Sequence, residues 1–187
     1  FVFYEKKEAL NWAKETSYPK VFKLKGGAGA TNVKLIKNKK YAITLINKAF
    51  GKGFSQFDRI NNLKERFNKF RKGQDTLLGV LKGIARLFII TDFAKLQSPE
   101  KGYIYFQEFM PNNDSDIRVI VIGKKAFAIK RMVRENDFRA SGSGNIIYNP
   151  ETIDKKILKY AFDINEKAGF QCAAYDFIYD AKNNPLV

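Results

Sequence analysis

The chain of 187 residues contains no histidine and one cysteine, Cys172. Without histidine, serine–histidine and cysteine–histidine catalysis and histidine-based zinc sites are excluded. With one cysteine, an intrachain disulfide is impossible, and a reducing compartment, the cytoplasm, is the simplest expectation. Long apolar runs are also missing. The longest are short stretches such as Leu87–Ile90, far below a membrane span, so no membrane partner is expected. Acidic residues are scarce: 34 Lys and Arg face 19 Asp and Glu, a net charge of +15. That surplus favours contact with anions (nucleic acid, nucleotide phosphates or an acidic substrate) without choosing among them.

What is present is core material. Hydrophobic residues make up 45% of the chain, including 17 Phe and 9 Tyr, which excludes disorder. The opening Phe1-Val2-Phe3-Tyr4 carries no basic leader and reads as a strand already under way. Pro185-Leu186-Val187 reads as a strand entered but not finished, so both ends suggest a piece of a longer protein.

Between the ends, periodicity alternates between helix and strand. Glu5–Thr16 reads as an amphipathic helix with Ala9, Leu10, Trp12 and Ala13 on its apolar side. Val21-Phe22-Lys23-Leu24-Lys25 and Asn32–Ile36 alternate as strands around a glycine-rich loop, giving a hairpin-like unit. Tyr41–Phe50 is a helix ending at Gly51. Residues 59–86 hold eight Lys or Arg, with Leu63, Phe67, Phe70, Leu77, Leu78 and Leu81 at helical spacing, which predicts amphipathic helices with one basic face. Tyr103–Phe109, Asp116–Ile122, Ala126–Val133 and Ala173–Tyr179 read as strands, and Glu151–Ala168 as a helix closed by Gly169. The sum is an α+β chain of two lobes.

Four constellations carry chemistry. Lys23 stands on a strand immediately before Gly26, Gly27, Ala28, Gly29, Ala30 and Thr31. Triphosphates need cations and accessible backbone N–H groups, which such a loop provides. The loop lacks the G-x-x-x-x-G-K-[ST] pattern of a P-loop, and a tight hairpin with a solvated lysine remains open as the simpler reading. Gln107-Glu108-Phe109 ends an apolar strand before a proline turn, where backbone groups could meet an adenine edge; a plain buried strand end is the alternative. Asp116 and Arg118 share one strand face, with Lys130, Arg131 and Arg139 downstream, cations that suit phosphates and carboxylates or are simply surface charges. Asp176 interrupts the apolar strand Ala173–Ile178 and needs a partner or a job: a magnesium ion or a buried arginine.

In this order the motifs resemble the ATP-grasp superfamily, most closely the glutamate-ligase-like carboxylate–amine ligases. Pro19–Leu24 is similar to the phosphate-lysine strand, Gly26–Thr31 to the loop folding over the phosphates, and Gln107-Glu108-Phe109 to the hinge receiving adenine and ribose. Asp116-Ile117-Arg118, Ala128–Arg131 and Asp137–Ser141 match further stretches, and Asp176 falls where the first metal carboxylate belongs. The resemblance runs from about Tyr18 to Val187, with a poorly matched basic insertion at about 55–100.

It implies two α+β lobes, residues 1–103 and 104–187, with the nucleotide cleft between antiparallel sheets. It implies ATP and Mg2+ as cofactors and an unidentified carboxylate and amine as substrates, joined through an acylphosphate. Lys23, the 26–31 loop, the hinge, Asp116, Lys130, Arg131 and Ser141 would bind the nucleotide. Arg118 and Arg139 would face the acceptor carboxylate or the γ-phosphate, and Asp176 would hold the metal. Such chemistry needs positioning and charge neutralisation more than a covalent nucleophile, so the missing histidine is no obstacle. A Glu and an Asn that the family places soon after Asp176 would fall beyond Val187. Two other readings stay open: an ATP-grasp kinase of a polyanionic or hydroxyl substrate, and a nucleic-acid-binding module. The second is disfavoured, because the aromatics occupy core positions and no RNA-binding signature is present.

Overall fold

The computed structural model describes residues 1–25, 32–55, 63–64, 66–67, 70–71, 73, 75–88, 98–135 and 137–187. The predicted phosphate loop, Gly26 to Thr31, and much of the basic insertion lie outside the described residues. The chain divides into two units, Phe1–Phe109 and Met110–Val187.

In the first unit, strands β1 (Val2–Phe3), β2 (Lys20–Lys23), β3 (Lys34–Ile36) and β4 (Ile104–Glu108) form an antiparallel sheet of order β1-β4-β2-β3. The predicted hairpin around the glycine-rich segment is the β2–β3 pair. Helices α1 (Lys6–Glu15) and α2 (Lys39–Ala49) form where expected. The side chain of Asn38 caps α2 by accepting from the Tyr41 N–H at 3.0 Å. Ala9 and Ala13 of α1, and Ala42, Leu45, Ile46 and Ala49 of α2, recur at three and four residues, so each helix presents one apolar stripe. Those stripes share a core with Phe22, Ile36, Phe54, Ile104 and Phe106, and Trp12 stacks on Phe106 at 4.8 Å between centroids. Burying side chains of this size contributes on the order of 2 kcal/mol each.

Two sequence expectations change here. Residue 103 was the expected end of the first lobe; β4 lies beyond it, yet pairs with β1 and β2, so the first unit extends to Phe109. In the basic segment, the helix α3 (Leu77–Phe88) forms, but the stripe read as its packing side is exposed, with Leu77, Leu78 and Leu81 all more than half accessible. Phe67 and Phe70 are exposed as well. Gly79, Val80 and Gly83 are the turned-in residues, and a Cβ on Gly83 would lie 3.0 Å from both Leu63 and Arg66 side-chain atoms. Missing side chains allow that close approach, which hydrophobicity counting scores as zero.

The second unit holds strands β5 (Ser115–Ile122), β6 (Lys125–Met132), β7 (Ile146–Ile147), β8 (Cys172–Tyr179) and β9 (Pro185–Leu186), antiparallel in the order β7-β6-β5-β8-β9. Helix α4 (Lys155–Ala168) starts at the Asp154 cap and ends at Gly169, whose left-handed φ of 66° suits glycine. A short 3-10 turn at Pro150–Thr152 replaces the predicted first turn of that helix. Ile117, Val119 and Val121 of β5 and Tyr175 and Phe177 of β8 pack with Ile157 and Ala161 of α4. Alternation on β5 therefore buries its odd residues and leaves Asp116, Arg118, Ile120 and Ile122 on the face away from this core.

Candidate functional site

In the first unit, β2 lies between β3 and β4, and register decides what each residue can meet. Lys23 is opposite Tyr105, and Val21 is opposite Gln107 on one side and Leu35 on the other. Directly opposed residues of antiparallel strands share a face. Lys23, Val21, Leu35, Tyr105 and Gln107 therefore line the sheet face that α1 and α2 do not cover, a mixed strip that carries the Lys23 ammonium.

Glu108 belongs to the other face. It lies opposite Lys20, whose ammonium donates to both carboxylate oxygens at 2.8 and 2.7 Å. Lys20 is 3% exposed and in phase with the buried Phe22 and Leu24. Of the predicted hinge, Gln107 thus shares the Lys23 face, Glu108 is tied to Lys20, and Phe109 closes the unit. Lys20 is the residue that sequence reasoning missed; the signal was its spacing of two from Phe22.

In the second unit, four charged side chains meet on the sheet face opposite α4. Asp116 pairs in register with Arg131, and Arg118 with Asp176. Arg131 donates from Nε and Nη2 to the two oxygens of Asp116, both at 2.6 Å, and from Nη2 to Asp176 Oδ1 at 3.0 Å. Arg118 donates from Nε to Asp176 Oδ1 and from Nη2 to Oδ2, again both at 2.6 Å. Paired, planar contacts of this kind are the strongest that arginine makes. Arg131 is buried and Asp116 largely so, whereas Arg118 and Asp176 remain 37% and 44% exposed.

Burial raises the Asp176 carboxyl, but the hydrogen bond from Arg118 and the charges of Arg131 and Arg118 outweigh it and hold the group below its ordinary value. The same contact with Asp176 raises Arg118, against the opposing effect of burial. The cluster sets two guanidinium groups against two carboxylates, so their formal charges cancel.

Not every predicted residue joins this group. Lys130 is opposite Ile117 and so lies on the α4 face of β6, one residue out of phase with Arg131. Arg139 pairs with Asp137, its Nη2 lying 2.6 Å from the carboxylate. Burial raises the Asp137 carboxyl, and the Arg139 hydrogen bond, the backbone N–H groups of Phe138 and Arg139 and the Arg139 charge together outweigh it, leaving a lowered value. Ser141 sits at a turn held by Arg134, whose Nη2 donates to the carbonyls of Ser141 at 3.3 Å and Gly142 at 2.8 Å. Among the described residues, no group of three His, Cys, Asp or Glu could by itself hold a metal ion.

Residues 85–187 match the family model of the RimK-like ATP-grasp domain, more than half of the chain. The chain belongs to the RimK-like ATP-grasp family. Across 96% of its length it also superposes on 32% of a biotin carboxylase from Campylobacter jejuni, with 14% identity and a TM-score of 0.51. That likeness shows the fold: an α+β ATP-grasp architecture. Two further structures are similar with lower scores. The biotin carboxylase domain of Hydrogenobacter thermophilus 2-oxoglutarate carboxylase gives a TM-score of 0.49, with 14% identity over 97% of this chain and 32% of that one. The macrocyclase MdnC from Microcystis aeruginosa gives 0.46, with 12% identity over 99% and 44%. No curated protein matches the sequence. The chain spans about a third of the length of the biotin carboxylase chains it resembles.

Proposed function

We propose that this ATP-grasp chain is the ATP- and Mg2+-binding part of a ligase that joins a carboxylate to an amine through an acylphosphate. The observation that carries the reading is the cluster on the second sheet: a carboxylate, Asp176, held ionised between Arg118 and Arg131 on the face away from α4, within a RimK-like ATP-grasp domain. Hard oxygen donors suit Mg2+, which takes one or two carboxylates and completes its shell with water and nucleotide phosphates. Asp176 fits that demand, and the lack of a three-residue ligand group among the described residues agrees with a metal completed by nucleotide. When bound, the ion supplies charge neutralisation at the phosphates.

The chain's own residues then divide the work. Lys23, on the uncovered face of the first sheet, offsets phosphate charge, and the glycine-rich residues 26–31 follow it closely in sequence. Gln107 to Phe109 receive the adenine and ribose, and the Lys20 contact fixes Glu108 at that strand end. Arg118 and Arg139 orient the γ-phosphate and the acceptor carboxylate, while Arg131, locked by Asp116, holds Asp176 in place. Lys130 contributes positive charge from the opposite strand face, and Ser141 contributes its turn to the nucleotide side. No described helix is long and apolar enough to cross a membrane, and the reaction belongs in the reducing cytoplasm, where ATP is abundant.

Calorimetric titration of Mg-ADP tests the assignment. The wild-type protein should bind, and Lys23→Ala should weaken binding roughly tenfold to a hundredfold, the value of one or two charge-assisted hydrogen bonds. Absence of Mg-ADP binding by the wild type would sink the reading. Ligase chemistry is then distinguished from phosphotransfer to a hydroxyl by release of phosphate only when an acid and an amine are both supplied.

A further inference from the structure

The described surface offers a second motif of interest, the exposed leucines of α3, but nothing on that face specifies an occupant. The ionic cluster of the second sheet carries more. Building on the metal assignment above, we propose that Arg118 is a removable cap on Asp176, so that the protein takes up its divalent cation together with the nucleotide and only weakly alone.

Three features of the cluster lead there. Arg118 covers both carboxylate oxygens, one N–H to each, at 2.6 Å. A Mg2+ ion needs direct oxygen contacts of about 2.0–2.1 Å, and a lone pair engaged by a guanidinium N–H cannot serve the ion as well. With Arg131 on Oδ1 as well, three of about four lone-pair positions of the carboxylate are taken, so an ion approaching on the side of Arg118 competes with it directly.

The second feature decides which arginine gives way. Arg131 is almost wholly buried and clamped by both oxygens of Asp116, so moving it would leave a buried carboxylate unpaired. Among the described residues, Arg118 pairs only with Asp176, and it is 37% exposed. It can turn away without orphaning a buried group.

Third, a phosphate offers a guanidinium the same two-point contact as a carboxylate. A nucleotide phosphate therefore compensates Arg118 for Asp176, and the freed carboxylate accepts the metal. A cation arriving alone brings no such compensation and must break a two-point ion pair outright. Arg131 stays on Oδ1 throughout and keeps the carboxylate aimed.

The test measures Mn2+ binding to the protein without nucleotide, by electron paramagnetic resonance of the free ion, in wild type, Arg118→Lys, Arg118→Ala and Asp176→Asn. Lysine keeps the charge but reaches one oxygen at a time, so it separates capping from simple repulsion. The cap predicts that Arg118→Lys and Arg118→Ala both tighten Mn2+ binding, by about tenfold, within the usual range of coupling between sites. Asp176→Asn, alone or combined with Arg118→Lys, should abolish the gain.

Three outcomes overturn the proposal: affinities of both Arg118 variants within about twofold of wild type, tightening by Ala but not Lys, which is repulsion alone, or a gain that survives Asp176→Asn. Thermal melting checks that each variant is folded, and the mild Lys replacement carries the test if Ala fails. Calorimetry with Mg-ADP separates the levels. Wild-type ADP binding without any Arg118 effect on Mn2+ refutes the cap and leaves the nucleotide reading standing. No ADP binding at all refutes both.

Discussion

Replacing Asp116 by leucine should cost the second unit about 3 kcal/mol, and replacing Arg131 by methionine at the same time should restore most of it. The magnitude follows from the burial of the pair, whose side chains are 14% and 7% exposed, and from its two contacts of 2.6 Å. Breaking such a pair from one side leaves a charge in a poorly solvated site, at about 3–5 kcal/mol. Arg131 keeps one contact with Asp176 at 3.0 Å, which places Asp116→Leu at the lower end. Arg131→Met leaves Asp116 without its two donors and should cost at least as much. In the double variant neither charge is stranded, and two apolar side chains fill the space, so its cost should fall to about 1 kcal/mol or less. Urea unfolding reads these differences. With a slope of about 2 kcal/mol per molar, each single variant should unfold about 1.5 M earlier, and the double variant near wild type. A coupling energy below about 0.5 kcal/mol, with the two single costs simply adding, would refute the view that this pair is a closed buried unit.

Two further predictions concern stability. Asp137 and Asp176 both have lowered carboxyl values in the folded chain, so between those values and the ordinary value of about 3.9 the unfolded state binds more protons. Their contribution is therefore complete above about pH 4–5 and is lost as pH falls through the folded values; Asp137→Asn should flatten the acid limb of a stability–pH curve, and an unchanged limb would contradict the assignment. Gly53 has a φ of 74°, and a Cβ there would lie 2.7 Å from the Glu100 carbonyl oxygen, whereas a Cβ on Gly73, at 69°, would meet nothing within 4 Å among the described residues. Gly53→Ala should thus cost more than the roughly 1 kcal/mol of left-handed strain expected for Gly73→Ala, and equal losses in denaturant unfolding would rule out the clash.

The sequence by itself determined the alternation of elements and singled out the charged residues that meet on the second sheet. Period-two stretches such as Asp116–Ile122 and Ala173–Tyr179 became strands because one sheet face is covered by α4 and rejects polar side chains. Helices α1, α2 and α4 were legible from three- and four-residue spacing and, for α4, from the closing Gly169, whereas the Asn38 and Asp154 caps emerged only in the fold. An aspartate within an apolar strand announced that Asp176 needed a partner.

Only tertiary structure decided the partners, because strand register is set by pairing and not by local pattern. Register put Arg118 against Asp176 and Asp116 against Arg131, and sent Lys130 to the other face, although it adjoins Arg131 in sequence. It also made Lys20 a buried companion of Glu108, 88 residues away, and carried β4 into the first unit. On α3 the spacing of leucines was read correctly as helical, yet the residues turned inward were Gly79, Val80 and Gly83. A helix chooses its packed face by what it can approach closely, and that depends on neighbours that no local window contains.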